Sequence, residues 1–362
     1  MKNSKKLLMQ ALGASFLWYM SSNAFAQFES ESTLAQGTAS IAWSAEQADS
    51  FLSASENTAF EDDISPQGSV NITTNIRNAT PIINKPLTTS TAQINTPQHS
   101  VTIVDTSKNY SNQPSVNARA ALIMDAQTGE VLYSKNSNTA LPIASITKLM
   151  TAVIVLDARL NMSERIVLQS VDFAGAGGKN SSSTLRVGDQ MNRAEALLFA
   201  LMKSENPAAA ALARTYPGGR AAFVKAMNAK AKELGMNSAQ FVESTGLDPR
   251  NRSSARDLGI LASTASQYGL IRQFSTTPSY DFNLGYRVLK SNNTNALVRN
   301  GGWNINISKT GYINEAGRCV VMHTTLNNRP AVVVLLGASD SQARTNDAIK
   351  LMNWVTHLPK RI

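Results

Sequence analysis

The 362-residue chain has one cysteine, Cys319, and three histidines, His99, His323 and His357. A lone cysteine excludes an internal disulfide even in an oxidising compartment, and Cys319, set in an apolar run, reads as a small buried residue. So few imidazole and thiol groups, spread over this length, are poor material for a metal site, and neither a metal nor a cofactor is expected. They also leave little for a Ser-His-Asp triad, and no G-x-S-x-G elbow occurs. The Gly/Ser-rich stretch 174–190 lacks the G-K-[ST] ending of a phosphate cradle and reads as a loop. Long apolar runs are scarce. The run from Leu7 to Met20 covers about 14 residues, short for a bilayer span, and no later stretch is long enough.

That run has a different use. Lys2, Lys5 and Lys6 precede it and Ala24-Phe25-Ala26 follows it, the pattern of an export signal cut after Ala26. The mature protein is expected outside the cytoplasm, with no transmembrane helix once the signal is removed. Residues 27–115 are rich in Ser, Thr, Asn, Gln and Ala and show no sustained period of 2 or 3.6. Such a segment cannot bury enough apolar area to offset the cost of ordering, so it reads as a disordered tether. The formal charge of +9 divides unevenly: +3 for residues 1–26 and −6 for residues 27–115 leave +12 for residues 116–362. A basic folded domain implies an anionic partner. Export argues against nucleic acid and favours an anionic wall polymer or membrane surface.

The period changes along residues 116–362. Ala118 to Asp125 and Glu130 to Tyr133 flank a turn and predict a hairpin. A helix is expected from Pro142 to about Leu160, with Pro142 in its first turn. Further helices are expected over Asn192 to Lys203, from Pro207, over 220–234 up to Gly235, and from the Ser254/Asp257 cap to Tyr268. Trp303 to Tyr312, Cys319 to Leu326 and Ala331 to Leu336 read as strands, and Ser341 to His357 as a closing helix. Strands, helices, strands and a helix define an α+β fold: an antiparallel sheet, joined by the N-terminal hairpin, flanked by helices and carrying a helical lobe. Only 25 residues follow Gly337, so no further domain is expected there.

Three motifs carry chemistry. Ser145 and Lys148 stand three residues apart, which puts hydroxyl and amine on one side of a helix. Ser145 is the only serine in the chain with lysine at that spacing. A serine beside an amine able to lose its proton is an activated nucleophile, and a helix start favours developing negative charge. Ser204-Glu205-Asn206 breaks two helices, so its side chains can face a cleft. S-x-N alone is a weak signal and recurs, for example at Ser55-Glu56-Asn57 and Ser134-Lys135-Asn136. Lys309-Thr310-Gly311 is the only K-T-G, on a predicted strand where Gly311 lets a ligand approach the backbone. S-x-x-K, S-x-N and K-T-G in this order, on helix, turn and strand, point to a serine acyl-transferase site.

At these residues the chain resembles the DD-peptidase/serine β-lactamase superfamily, which includes the penicillin-binding proteins. Within it the chain is most similar to the low-molecular-mass D-alanyl-D-alanine carboxypeptidase family, in its endopeptidase branch. The likeness extends over about 116–362 and includes Asp125-Ala126-Gln127-Thr128-Gly129, Leu234-Gly235-Met236-Asn237, Phe241-Val242-Glu243-Ser244-Thr245-Gly246-Leu247 and Ser253-Ser254-Ala255-Arg256-Asp257-Leu258. It implies a periplasmic hydrolase of peptidoglycan cross-links, with β-lactams as covalent inhibitors. Ser145 would attack a D-Ala carbonyl and Lys148 would take its proton, kept neutral by partial burial and by Lys309. Ser204 would relay a proton to the leaving amine, and Asn206 would hold the substrate amide. Thr310 and Lys309 would bind the carboxylate beside the scissile bond, with Gly311 leaving room. The N–H groups of Ser145 and Tyr312 would hold the oxyanion, and Arg344 corresponds to a carboxylate-binding arginine of the family. Carboxypeptidase action on terminal D-Ala is the nearest alternative. A β-lactamase, with Glu233 and Asn237 activating water, and a non-catalytic wall-binding module are the others.

Overall fold

The computed structural model describes residues 102–104, 110, 112–175 and 183–359. The export signal, nearly all of the tether and residues 176–182 of the Gly/Ser loop lie outside the described residues.

The expected α+β architecture is present. Strands β1 (Ala120–Asp125) and β2 (Val131–Lys135) form the N-terminal hairpin. The chain then runs through helices α1 (Thr147–Asp157), α2 (Arg193–Leu198), α3 (Asn206–Arg214), α4 (Gly219–Glu233), α5 (Ala255–Ala265) and α6 (Gly269–Thr276). Strands β3 (Asn304–Ile313), β4 (Gly317–Leu326) and β5 (Arg329–Ala338) follow, then helix α7 (Ser341–Thr356). The five strands make one antiparallel sheet in the order β2-β1-β5-β4-β3. The first hairpin therefore joins the C-terminal strands, and β3, which carries Lys309-Thr310-Gly311, is an edge.

Strand alternation sorts the core into two layers. Leu122, Met124, Val332, Val334 and Leu336 face the helical lobe with α1 and α5. Ala121, Ile123, Val333 and Leu335 face α7, against Leu351, Met352 and Val355. Central strands β1 and β5 are buried on both faces, which their unbroken apolar runs reflect. Each such fully buried Leu or Val contributes roughly 1.5–3 kcal/mol of transfer free energy. Cys319 is buried, and burial pushes its thiol up to about 11.

Helix starts follow their caps. Ser254 Oγ accepts the Asp257 N–H at 3.1 Å, as the sequence predicts. Asn192 and Glu195 form a reciprocal capping box, each bond 2.8 Å long, at the start of α2. The expected helix from Pro142 begins later. Leu141–Pro142 is a short strand paired with Arg252–Ser253, and a 3-10 turn over Ala144–Ile146 leads into α1. Pairing with a segment more than a hundred residues away overrides the local preference of proline for a first helical turn. Helix α6 and the hairpin of Ser279–Asn283 with Val288–Asn292 are additional to the predicted elements.

Candidate active site

The three motifs converge on one crevice. Ser145 sits in the 3-10 turn, half-exposed, one residue after Ala144, whose φ is +48°. Two glycines hold this turn. A Cβ on Gly246, at φ +85°, would fall on the Ala144 carbonyl. A Cβ on Gly311 would lie 3.0 Å from the Ile143 carbonyl oxygen and 3.1 Å from the Ser145 nitrogen. Loop 243–246 and edge strand β3 can therefore press against the turn from their two directions only because both positions lack a side chain.

Lys148 lies on the first turn of α1 and is 0% exposed. Its Nζ is 2.9 Å from Ser145 Oγ, 2.6 Å from Asn206 Oδ1 and 2.7 Å from the Thr245 carbonyl oxygen. Carbonyl oxygens only accept hydrogen bonds, so the two N–H bonds of a neutral amine are taken by Asn206 and Thr245. Its lone pair is left facing the one partner able to donate, the Ser145 hydroxyl. Burial pulls the Lys148 pKa down to about 7, while the negative charges of Glu243 and Glu205 pull the other way. Burial is thus complete where the sequence suggests it partial, and it dominates. The effect of Lys309 runs in the reverse direction, with Lys148 acting on Lys309.

Lys309 is 1% exposed, and its Nζ donates to Ser204 Oγ at 2.9 Å and to the Thr310 carbonyl at 3.0 Å. Its pKa lies well below the usual lysine range, through burial first and then the charges of Lys148 and Arg344. Ser204 reaches it because the chain leaves a π-helical turn, Phe199–Lys203, and passes through the left-handed region at Ser204, with φ +66°. Glu205 points away from the crevice. It is buried, and it accepts Ser183 Oγ–H at 2.6 Å and the Thr184 N–H at 3.2 Å. Thr310 Oγ1 donates to Thr294 Oγ1 at 2.7 Å. Tyr312 follows on the same edge, 46% exposed. Arg344 is buried in the first turn of α7, and its charge is felt by Lys309.

Sequence reasoning left one contributor out. Glu243 Oε1 accepts the Gly246 N–H at 2.6 Å and Asn251 Nδ2–H at 2.9 Å, and Oε2 accepts the Thr245 N–H at 2.5 Å. Asn251 Nδ2 also donates to Thr147 Oγ1 at 3.1 Å, at the head of α1. These bonds orient the loop whose Thr245 carbonyl receives Lys148. A main-chain carbonyl leaves no side-chain signal, so only the resemblance at 241–247 marked this segment. Glu233, the candidate water activator of a β-lactamase, lies elsewhere. It pairs with Lys230 at 2.9 Å, and Lys230 pairs in turn with Asp157 at 2.9 Å at the far end of α1. At 1.5 Å rise per residue that end is roughly 13 Å from Lys148. Among the described residues no cluster of His, Cys, Asp and Glu is suited to a metal ion, and no helix is long and apolar enough to cross a membrane.

A half-exposed serine hydrogen-bonded to a buried, deprotonatable lysine, facing a second lysine on a sheet edge, defines a serine acyl-transferase built on a penicillin-binding fold. Its relatives agree. Residues 107–340 match the D-alanyl-D-alanine carboxypeptidase family, and the chain belongs to that family of serine-type D-Ala-D-Ala peptidases. It is 47% identical to a D-alanyl-D-alanine endopeptidase of Pseudomonas aeruginosa, over 65% of this chain and 76% of the relative. The D-alanyl-D-alanine endopeptidase of Escherichia coli K12 is 45% identical, over 67% of this chain and 79% of the relative. The crystal structure of the Streptomyces K15 DD-transpeptidase superposes with a TM-score of 0.62 at 30% identity, covering 68% of this chain and 99% of that one.

Proposed function

We propose that this chain is an exported, periplasmic DD-endopeptidase that cleaves D-alanyl-diaminopimelate cross-links of peptidoglycan through an acyl-enzyme on Ser145. The observation that carries the reading is the Lys148 amine, fully buried and bonded to two carbonyl oxygens and the Ser145 hydroxyl. Ser145 Oγ attacks the D-Ala carbonyl carbon while its proton passes to Lys148. The oxyanion is held by the N–H groups of Ser145 and Tyr312. Collapse expels the diaminopimelate amine, which takes a proton relayed by Ser204. Water then attacks the ester, releasing a D-Ala carboxylate and free Ser145. Asn206 holds the substrate amide. Lys309, Thr310 and Arg344 bind the carboxylate beside the scissile bond, which supplies the counter-charge that these crowded cations lack.

The names of the relatives at 45–47% identity support the endopeptidase over the carboxypeptidase reading. Carboxypeptidase action stays as a second reading because relatives at 30–35% identity from Bacillus subtilis and Escherichia coli bear that name. The position of Glu233 disfavours a β-lactamase. Mass spectrometry after exposure to a β-lactam tests the nucleophile: the adduct is expected on the Ser145 peptide and absent from Ser145→Ala. A labelled Ser145→Ala protein refutes the assignment. Cross-linked dimeric muropeptides and a pentapeptide, given separately to the purified protein, test the substrate. Release of D-Ala without dimer cleavage reverses the choice.

A further inference from the structure

Strand β3 continues past Gly311 into Tyr312, whose cross-strand partner on β4 is Arg318. The Arg318 guanidinium lies over the Tyr312 ring, 3.6 Å from its centroid. Stacking engages the face of a guanidinium and leaves the N–H groups in its plane available, the arrangement that receives a carboxylate in a two-bond fork. Arg318, Arg344 and Arg299 gather at this end of the sheet, close enough that the charges of Arg318 and Arg299 depress the pKa of the partly desolvated Arg344. None of the three makes an ion pair with a carboxylate among the described residues. Asp340 lies near Arg318: its Oδ1 caps α7 at the Ala343 N–H, 2.8 Å away, its Oδ2 accepts Ser339 Oγ–H at 2.9 Å, and these bonds, with the Arg318 charge, hold its carboxyl below the usual range. Three guanidiniums held together beside a reaction centre, with one carboxylate near them that is already hydrogen-bonded within the chain, favour a visiting anion.

We propose that Arg318, stacked on Tyr312, is an anion subsite for the leaving strand, taking a carboxylate beyond the one next to the scissile bond. The inference rests on the endopeptidase reading. The two leaving groups differ in the feature that matters. Free D-Ala carries a single carboxylate, which Thr310, Lys309 and Arg344 suffice to hold. The strand released from a cross-link carries that carboxylate on the diaminopimelate D-centre and further ones on the stem peptide, a short methylene chain away. Tyr312 follows Thr310 and Gly311 on β3 and pairs with Arg318 on β4, so on this proposal the leaving strand runs toward them. Arg318 therefore selects a cross-link over a pentapeptide.

The experiment compares kcat/KM for a dimeric muropeptide with that for a pentapeptide, in the full mature chain. Arg318→Gln is expected to lower the dimer-to-pentapeptide ratio about tenfold, as loss of one charge-assisted carboxylate contact does, and Arg318→Lys to lower it less. A dimer amidated at its leaving-strand stem carboxylates should lose the same factor in the wild type and little further in Arg318→Gln. This arm holds even if the variant folds poorly. A ratio within twofold of wild type in Arg318→Gln, with amidation equally harmful in both proteins, overturns the inference alone. A wild-type protein that cleaves no dimer overturns the endopeptidase reading along with it.

Discussion

The crevice and the flank of the helical lobe bury charge in opposite ways. On the flank, Arg193 is fully buried and meets Glu164 at 2.5 Å. Asp172, also buried, serves Arg214 at 2.8 Å and Arg220 at 2.9 Å, and buried Asp189 holds Arg287 at 2.8 Å. In the crevice, Lys148 and Lys309 are buried as deeply, yet neither makes an ion pair among the described residues. Their bonded partners are hydroxyl, amide and main-chain oxygens. A charge matched by an opposite charge is fixed, because neutralising one partner strands the other. A charge met only by neutral oxygens can be given up. The flank is built to keep its protons in place and the crevice to let one move.

The sharpest break in this comparison is Lys148→Arg. A guanidinium stays protonated at any working pH, so the crevice would acquire the fixed charge of the flank. Acylation by a fluorescent penicillin is expected to fall about 10²–10⁴-fold, the usual worth of a positioned general base. In the wild type the acylation rate should rise with pH up to about 7 and level off above it, because the neutral amine is the active form. Stability should show the same proton. The folded Lys148 pKa is depressed, so between about 7 and the unfolded value near 10.4 the unfolded chain binds more protons. Unfolding free energy should therefore climb with pH across that window, and this slope should disappear in Lys148→Met. An acylation rate flat from pH 5 to 8 would break the argument.

The counterpart on the flank is Asp172→Asn, which leaves two guanidiniums short of their carboxylate. A loss of about 3–5 kcal/mol is expected from breaking a buried pair. In a domain of this size that lowers the melting temperature by about 10 °C. Calorimetry at neutral pH measures it, and a change below about 2 °C would show that this pairing is not what holds the flank.

The two regions were also unequally legible. Side-chain spacing brought out the crevice residues: Ser204 and Asn206 lie across a helix break and Lys309 and Thr310 on a strand, as expected, whereas Ser145 lies in a 3-10 turn just before the helix that carries Lys148. Motif residues must project functional atoms, and such atoms leave a pattern in residue type. The start of the nucleophile helix was misread because the pairing of Leu141–Pro142 with Arg252–Ser253 is a long-range contact that no local window contains. Helix α6 and the hairpin after it went unseen because the burial of Phe282 depends on its stack with Phe199, which lies on a distant turn. The charge pairs of the flank were equally invisible, since Asp172 and Arg214 meet only after folding.

Loop 243–246 joins the two designs, and it supports the smallest of these predictions. Glu243 is an anion inside the crevice's wall, but its oxygens are spent on the N–H groups of Thr245 and Gly246 and on Asn251, not on Lys148. Lys148 feels it only through space, alongside Glu205 and against the larger effect of burial. Glu243→Gln keeps the shape, removes the charge and sets an N–H₂ group against a main-chain donor. Two effects should follow. The Thr245 carbonyl loses its fixed aim, so plateau acylation slows severalfold. The attraction that raises the Lys148 pKa is lost, so the acid limb of the acylation profile moves to lower pH. A purely structural role for Glu243 would slow acylation at every pH and leave the limb where it was. The direction of that limb's movement therefore decides whether the loop only shapes the crevice or also sets the pH at which its lysine becomes a base.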